Sequence, residues 1–271
     1  MPDATPPPSG YPHSGVPHSN AAETEQARID LAAIFRMAAR LGMHEGVCNH
    51  FTFMLDATPG DTTGGTAGGR HFLINPKGVH FERITASSLL VIDEAGRTVE
   101  GHGRPPTSGY AIHTRIHLNH PSAKVVLHLH APYSTALTAI RGGRLEMIHQ
   151  NAARFHGEIA YDDHYNGIAD ATAEGDRMAA AMRGKRIMFL ANHGVVVVGE
   201  TIARAFDDFY YLERACQVQV LAMQTGRELN VMSDAMARST HDQFAQFSLN
   251  ADLYLEEIKH ILDEQEPGYA S

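Results

Sequence analysis

The sequence predicts an α/β protein with three layers, helices packing on both faces of a central mixed, mostly antiparallel sheet. Amphipathic helical patterns and short apolar strand patterns occur together along most of the chain. They do not follow the strict strand–helix–strand order that an all-parallel sheet needs. Apolar residues make up 43% of the 271 residues, enough for a large core. We therefore expect a single domain over residues 24–271.

Composition excludes several classes of protein. Residues 1–23 are rich in Pro, Ser, Gly and His, and we expect a disordered tail there. The formal net charge of −9 argues against a nucleic-acid partner. No apolar run is long enough to cross a membrane and no signal-peptide pattern is visible, so no membrane partner is expected. Cys48 and Cys216 form neither a disulfide framework nor a CxxC motif, which favours a cytoplasmic location.

The first half of the domain is predicted to be a helix followed by short strands. Apolar side chains recur at helical spacing from Glu25 to Leu41, and Gly42 ends that helix. A turn and a strand follow within residues 45–55, and residues 58–70 form a Gly/Thr-rich hairpin connection. Further strands are expected at residues 71–74, 90–93 and 97–99, with a tight turn at residues 75–78.

The second half alternates helices and strands. Helices are expected at residues 107–120, 133–140, 172–182 and 201–225, with further helices between residues 234 and 264. The strands are residues 125–130, 187–190 and 195–198, and residues 148–155 stay unassigned. Residues 160–167 form a predicted polar loop that carries Tyr161 and Tyr165. In the longest helix, one stripe holds four apolar residues: Ala205, Phe209, Leu212 and Cys216.

A pair of histidines at the end of a predicted buried strand is the strongest functional signal. His128 and His130 are two residues apart, so they project from one face of the strand with backbones about 6–7 Å apart. His193 lies at another strand-to-turn position. Three imidazoles with an open position are typical of a catalytic divalent-metal site. The alternative is that some of the chain's 18 histidines form such a pair by chance and serve only as packed core residues.

Three further segments carry groups that suit an anionic substrate. A lysine beside a glycine can present a charge and a free amide together, and a helix start presents hydroxyl groups and amides. The alternatives are a solvated lysine, a turn residue satisfying its own backbone, and an ordinary helix cap. The candidates are Asn49 or His50, the pair Lys77 and Gly78, and the pair Thr107 and Ser108.

The helix that begins at Thr107 also carries two histidines four residues apart. His113 and His117 therefore share one face of it. A packed, hydrogen-bonded role is favoured for His117. The role of His113 stays open between the metal site and a carboxylate.

Taken together, these motifs resemble those of the class II aldolase/adducin family over residues 27–226, the group that includes fuculose-phosphate aldolase. The matching segments are His50–Thr52, Asn75–Gly78, Pro106–Ser108, His113, Val126–Tyr133, Ala191–Gly194 and Tyr211–Ala215. The resemblance implies an α/β/α fold and a homotetramer with active sites at subunit interfaces. It implies the metal ligands His128, His130 and His193, and an anion pocket lined by His50, Lys77, Gly78, Thr107 and Ser108.

One departure from the family pattern changes the expected chemistry. The family's sugar-phosphate aldolases carry a general acid/base glutamate directly after a Ser-Ser pair, and Gly109 stands at the matching position. They also have asparagine where this chain has His50. Removing an acid or base typically costs about 10²–10⁴ in rate, so another group must substitute or the reaction must differ. The candidates for the catalytic role are His113, His164 and Tyr165, with Tyr161 as a further possibility.

The sequence therefore predicts a metal-dependent carbon–carbon lyase acting on a small anionic hydroxy- or keto-acid. Decarboxylation is favoured over aldol cleavage because carbon dioxide leaves without a base removing a proton from carbon, and a metal can stabilise the resulting enolate. One divalent ion per chain is expected, zinc first and manganese or iron otherwise. The alternatives are a non-catalytic adducin-like binding module and a dehydratase of the same fold.

Overall fold

The computed structural model describes residues 21–56, 69–168, 171–247 and 249–271. Most of the predicted tail, and all of the predicted hairpin connection except its last two residues, lie outside these ranges. The first helix begins at Ala21 rather than at Glu25, so residues 21–23 belong to it and not to the tail. Gly42 follows the helix with a φ of 65°, the left-handed conformation expected of a glycine at a helix end.

Within the described residues the chain forms eight strands and eight α-helices. The strands are β1 His50–Met54, β2 Phe72–Ile74, β3 Leu90–Ile92, β4 Thr98–Glu100, β5 Val125–Leu129, β6 Ile159–Asp162, β7 Ile187–Leu190 and β8 Gly194–Gly199. The helices are α1 Ala21–Arg40, α2 Thr107–Asn119, α3 Pro132–Thr138, α4 Gln150–Ala153, α5 Thr172–Met182, α6 Ile202–Met223, α7 Asp234–Phe244 and α8 Leu249–Gln265. None of these helices is long and apolar enough to cross a membrane.

All eight strands join one sheet in the order β4-β3-β2-β1-β5-β8-β7-β6. Every neighbouring pair is antiparallel except β6 and β7, which run parallel. The prediction of a mixed, mostly antiparallel sheet is confirmed. At the centre of the sheet β5 lies between β1 and β8, so His50 pairs with His128, and His128 with Val196 on its other side.

The two faces of the sheet carry different helices, which confirms the three predicted layers. Alternate strand residues such as Leu127 and Val197 pack with α1, α3, α6 and α8 in the larger apolar cluster. Their neighbours Val126 and Val196 pack with α2 and α5 on the opposite face. Because strand side chains alternate, the same rule puts His128 on the face covered by α2 and α5.

The prediction of a loop over residues 160–167 is wrong in its first part. Ile159–Asp162 forms the parallel edge strand β6. Only Asp162 in it is buried, and the other three residues are half-buried because the strand has a neighbour on one side only. A four-residue edge strand of this kind lacks the apolar run by which the central strands were predicted.

A buried carboxylate from α6 fixes the segment that follows the two histidines of β5. Glu213 accepts hydrogen bonds from the backbone N–H groups of Tyr133 at 2.7 Å and Ser134 at 2.8 Å. These amides lie in the first turn of α3, where N–H groups have no partner within the helix. Burial raises the pKa of Glu213, and the two amides and the Ser134 hydroxyl oppose that rise. The contact therefore anchors the chain just beyond His130 to the core helix.

We expect Glu213→Ala to lower the free energy of unfolding by about 2–3 kcal/mol, because two buried amides lose a charged acceptor. Urea denaturation at equal protein concentrations measures this. Glu228, exposed after α6, provides the matched control, and Glu228→Ala should change stability by less than about 0.5 kcal/mol. Equal effects of the two variants would contradict the anchoring role.

Candidate metal centre

The antiparallel register gathers the predicted site residues at one end of the sheet. His50 is the first residue of β1, and its partner His128 is the last residue of β5 that pairs with β1. Strand β8 begins at the same end of the sheet, at Gly194. Because β2 runs antiparallel to β1, its exit toward Lys77 lies at the same end. Residues separated by up to 143 positions in the sequence therefore meet in space, as strands with opposite directions require.

His128, His130 and His193 form the candidate metal centre. One ring nitrogen from each lies within 4.8 Å of the others. The ring centroids are 4.8–4.9 Å apart in all three pairs. His128 is buried, whereas His130 and His193 are half-buried. The three side chains thus form a compact triangle that is open on one side.

The outer ring nitrogens of two of these histidines have acceptors that set the tautomer. The Nδ1–H of His128 donates to the carbonyl of Val195 at 3.0 Å, and that of His130 donates to the Glu45 carboxylate at 2.6 Å. In each of the two rings the free lone pair is then on Nε2, and the two Nε2 atoms lie 3.1 Å apart. Tetrahedral Zn–N bonds of about 2.0–2.1 Å place two nitrogens roughly 3.3 Å apart. The donor set fits a divalent ion, with a carbonyl and a carboxylate orienting the ligands.

Burial keeps the imidazoles of His128 and His193 neutral at neutral pH. Burial, followed by the charge of His130, lowers the pKa of His193 to about 4. Burial also holds the pKa of His128 well below its ordinary value, and neighbouring His50, His193 and His130 add to this. Neutral imidazole is the form that binds metal, so protons compete little with an ion at pH 7.

Local backbone geometry explains how the third histidine reaches the pair. Asn192 adopts a φ of 57°, a left-handed conformation that asparagine tolerates better than most residues. Its N–H donates to the carbonyl of Thr138 at 3.0 Å. At Gly194, a Cβ would lie 2.5 Å from the carbonyl oxygen of Leu129 and 2.8 Å from the His130 ring. Glycine is therefore required for β8 to start this close to the histidine pair.

A cavity of about 540 Å³ opens beside His130 and His193. The Oγ1 atom of Thr135 and the Nδ1 atom of His44 are both buried and have no hydrogen-bond partner among the described residues. Polar atoms of this kind are usually satisfied by water or a ligand. The cavity is lined by His44, Glu45, His130, Pro132, Thr135, Asn192 and His193.

The predicted anion-binding residues lie around this end of the sheet at different depths. Ser108 is half-buried, and its Oγ atom lies 3.3 Å from Nε2 of His50. The His50 ring is buried, and its centroid is 5.0 Å from that of His128. Thr107, Lys77 and Gly78 are exposed. Gly78 has a φ of 81°, so the turn after β2 depends on it.

The structure separates the three residues predicted to be catalytic. His113 is fully buried, and both of its ring nitrogens have hydrogen-bond partners, His50 Nδ1 at 2.9 Å and Thr52 Oγ1 at 2.8 Å. Tyr165 is 52% exposed, with its ring centroid 6.3 Å from that of His193. His164 is exposed, and its backbone N–H donates to Asp162. Tyr165 thus borders the histidine triangle, whereas His113 contacts it only through His50.

Gly109 packs closely against His50. A Cβ on Gly109 would lie 3.2 Å from Cγ of His50 and 3.1 Å from Cδ1 of Ile74. These distances are tighter than ordinary carbon contacts. The imidazole of His50 therefore fills the space beside Gly109, and the two positions depend on each other.

Sequence reasoning missed two residues of the site. Glu45 was assigned only to a turn, yet its carboxylate orients His130. Thr52 was assigned only to a strand, yet its hydroxyl lies 2.8 Å from His113 and 2.7 Å from His117. Strand alternation places Thr52 on the face of His50, which was a usable signal. No pattern in the sequence connects Glu45 to His130, 85 residues away.

The buried histidines make stability depend on pH. Burial lowers the pKa of His117 from 6.5 to about 4. The unfolded chain takes up a proton below pH 6.5 and the folded chain only near pH 4, so the free energy of unfolding should fall as the pH drops. We expect a loss on the order of 2 kcal/mol from His117 between pH 7 and 5. Urea denaturation should show a shallower pH dependence in His117→Gln, and an unchanged slope would contradict this.

The contact between Gly109 and His50 predicts an energetic coupling. Gly109→Ala pushes a methyl group against the His50 ring, and His50→Asn removes that ring. We expect the effect of Gly109→Ala on the free energy of unfolding to be more favourable by about 0.5–1 kcal/mol in the His50→Asn background than in the wild type. Chemical denaturation of all four proteins measures this double-mutant cycle. Additive effects would show that the two positions are independent.

Comparisons with known proteins agree with this geometry. The family model "Class II Aldolase and Adducin N-terminal domain" matches residues 29–220. An aldolase class 2 protein of Caulobacter vibrioides is 33% identical over 90% of this chain and 92% of its own length. Decarboxylase NovR of Streptomyces niveus is 31% identical over 82% and 79%. Human beta-adducin is 36% identical over 57% of this chain and 22% of its own length.

Solved structures show the same relationship. An aldolase II superfamily protein from Pseudomonas syringae superposes with a TM-score of 0.83 at 28% identity, covering 93% of this chain and 98% of the other. L-fuculose 1-phosphate aldolase from Glaciozyma antarctica gives a TM-score of 0.76 at 27% identity, with coverage of 94% and 96%. The expected resemblance is confirmed, and the chain belongs to the class II aldolase and adducin family.

Proposed function

We propose that this protein is a divalent-metal-dependent carbon–carbon lyase, a decarboxylase rather than an aldolase, acting on a small anionic hydroxy- or keto-acid. The observation that carries the proposal is the histidine triangle, with two Nε2 atoms 3.1 Å apart and their Nδ1–H groups held by Val195 and Glu45. Histidines that only pack the core would not need to bring one ring nitrogen each within 4.8 Å of one another. The cavity of about 540 Å³ gives a small substrate room beside His130 and His193.

His128, His130 and His193 would hold the ion, and zinc is our first candidate because three imidazoles with an open position suit it. A bound divalent ion supplies a Lewis acid that stabilises negative charge developing on a substrate oxygen. Glu45 and Val195 keep the ligand rings oriented. We assign Lys77, Gly78 and Thr107 to the substrate's anionic group, since a cation, free amides and a helix start favour it.

Gly109 supports decarboxylation over aldol cleavage. Aldol chemistry needs a positioned acid or base, and the family's glutamate is absent at Gly109. His113 is a poor replacement, because both of its ring nitrogens are occupied inside the protein. Loss of carbon dioxide needs no base at carbon, so it tolerates the glycine. The likeness to decarboxylase NovR favours the same assignment, and Tyr165 and His164 remain candidates for a final proton donor.

A binding module without activity is the second candidate, and the likeness to beta-adducin favours it. A dehydratase of the same fold would use the same metal centre and differs only in its product. We also propose a homotetramer with sites at subunit interfaces, after the resemblance to the sugar-phosphate aldolases. The buried free thiol of Cys216 and the exposed one of Cys48 suit a reducing cytoplasm.

Metal content tests the proposal first. We expect about one divalent ion per chain in protein purified without a His-tag, measured by elemental analysis. His128→Ala and His193→Ala should lose the ion because each removes one of three ligands. His164→Ala, an exposed histidine outside the triangle, serves as the matched control and should keep it.

Enzymatic activity is then measured with protein loaded with zinc, manganese or iron. Small hydroxy- and keto-acids are screened for release of carbon dioxide, and the products are identified by mass spectrometry. Loss of water from the substrate instead would identify a dehydratase. No bound metal in any sample, even after reloading, would sink the lyase assignment and favour the binding module.

A further inference from the structure

Beside the candidate metal centre a chain of hydrogen bonds runs between the sheet and α2, and the proposed function does not use it. It starts at the carbonyl of Ala123, where His117 Nδ1 lies at 2.6 Å. His117 Nε2 lies 2.7 Å from Thr52 Oγ1, which is 2.8 Å from His113 Nδ1. The chain then continues from His113 Nε2 to His50 Nδ1 at 2.9 Å, and from His50 Nε2 to Ser108 Oγ at 3.3 Å.

The direction of every bond follows from the first one. A carbonyl oxygen can only accept, so the His117 proton is on Nδ1 and its Nε2 must accept. The single proton of the Thr52 hydroxyl is therefore donated to His117, although the Val126 carbonyl lies 3.4 Å away as a longer alternative. Thr52 then accepts from the Nδ1–H of His113. Each neutral imidazole has one proton, so a ring that donates from one nitrogen must accept at the other. The next hydrogen bond in the chain therefore has the same donor-to-acceptor direction.

The direction of the last two hydrogen bonds determines whether the site presents a donor or an acceptor to a ligand. His113 Nε2 accepts from the Nδ1–H of His50, and His50 Nε2 accepts from the hydroxyl of Ser108. The one proton of Ser108 thus points inward to His50. We propose that Thr52, His113 and His117 are positioning residues that lock the tautomer of His50, so that His50 and Ser108 together offer a hydrogen-bond acceptor and not a donor.

The opposite direction would need an extra proton in the core. If His113 carried its proton on Nε2, Thr52 would have to donate to His113, and His117 would need protons on both nitrogens to serve Thr52 and Ala123. That ring would be a cation with relative exposure of only 2%. Burial and the nearby Arg70 cation both lower the pKa of His117, so the neutral ring is favoured.

The consequence for recognition deepens the proposed function, and this part of the inference rests on it. Ser108 is half-buried, and its Oγ atom lies 3.3 Å from Nε2 of the buried His50, so a substrate reaches the Ser108 hydroxyl before the His50 ring. A carboxylate oxygen has no proton to donate to an acceptor, whereas a hydroxyl does. The substrate therefore places a hydroxyl group against Ser108 and its carboxylate elsewhere, which selects keto-acids that also carry a hydroxyl group over simple keto-acids.

Nitrogen-15 NMR tests the tautomers without any substrate. In histidine-labelled, zinc-loaded protein, two-bond nitrogen–proton correlations report which ring nitrogen carries the proton, and the His50 signals are assigned from their loss in His50→Asn. We expect the proton on Nδ1 in His50, His113 and His117. Thr52→Val removes the hydroxyl at nearly constant shape, and we expect the His50 proton to shift toward Nε2 in it. Thr52→Ser should restore the wild-type pattern, which a purely structural role of the side chain does not predict.

Three outcomes would overturn the inference. The first is a wild-type His50 with its proton on Nε2, which decides the matter even if Thr52→Val does not fold. The second is a Thr52→Val spectrum in which the His50 tautomer is unchanged. The third is a change in the His50 Nε2 signal when zinc is removed with a chelator, since that would make His50 a metal ligand. None of these measurements depends on activity, so failure of the lyase proposal is separately visible.

Discussion

The pairing of β5 between β1 and β8 is the constraint on which the rest of the site depends. It places His50 opposite His128 and brings the start of β8 beside the end of β5. Because neighbouring strands run in opposite directions, strand starts and strand ends alternate along one edge of the sheet. Loops from distant parts of the sequence can then supply the third histidine, the orienting glutamate and the start of α2. A shift of one residue in the register of β5 would turn His128 to the other face of the sheet.

Burial gives these histidines their chemical character. In water an imidazole gains and loses its proton near pH 6.5, so its hydrogen bonds change direction over the physiological range. In the core the cost of burying a charge keeps His50 and His117 neutral, with the pKa of His50 lowered to about 3. A neutral ring has one donor and one acceptor, and its tautomer is then decided by its partners. The same desolvation therefore acts on His128 in the candidate metal centre and on the hydrogen-bonded histidines beside it on the same face of the sheet.

Close packing couples Gly109 to His50. The glycine leaves space that the imidazole of His50 occupies, within 3.2 Å of a hypothetical Cβ. A larger side chain at position 109 would compete for that volume, so the two positions depend on each other. The ring of His50 is in turn held by His113, which is linked through Thr52 to His117.

Much of the architecture and the pair His128 and His130 could be predicted from the sequence because they follow from local rules, whereas the expectation that His193 joins them as a ligand came from the family resemblance. Two-residue alternation puts His128 and His130 on one face, and helical spacing pairs His113 with His117. Apolar runs identified the central strands but missed β6, whose three half-buried residues show no such run. Only the tertiary structure decided that Glu45 orients His130, that Thr52 links two histidines, and that His113 is enclosed rather than open to a substrate. These contacts join residues 61 to 85 positions apart, and their geometry depends on strand register and helix packing that no local pattern encodes.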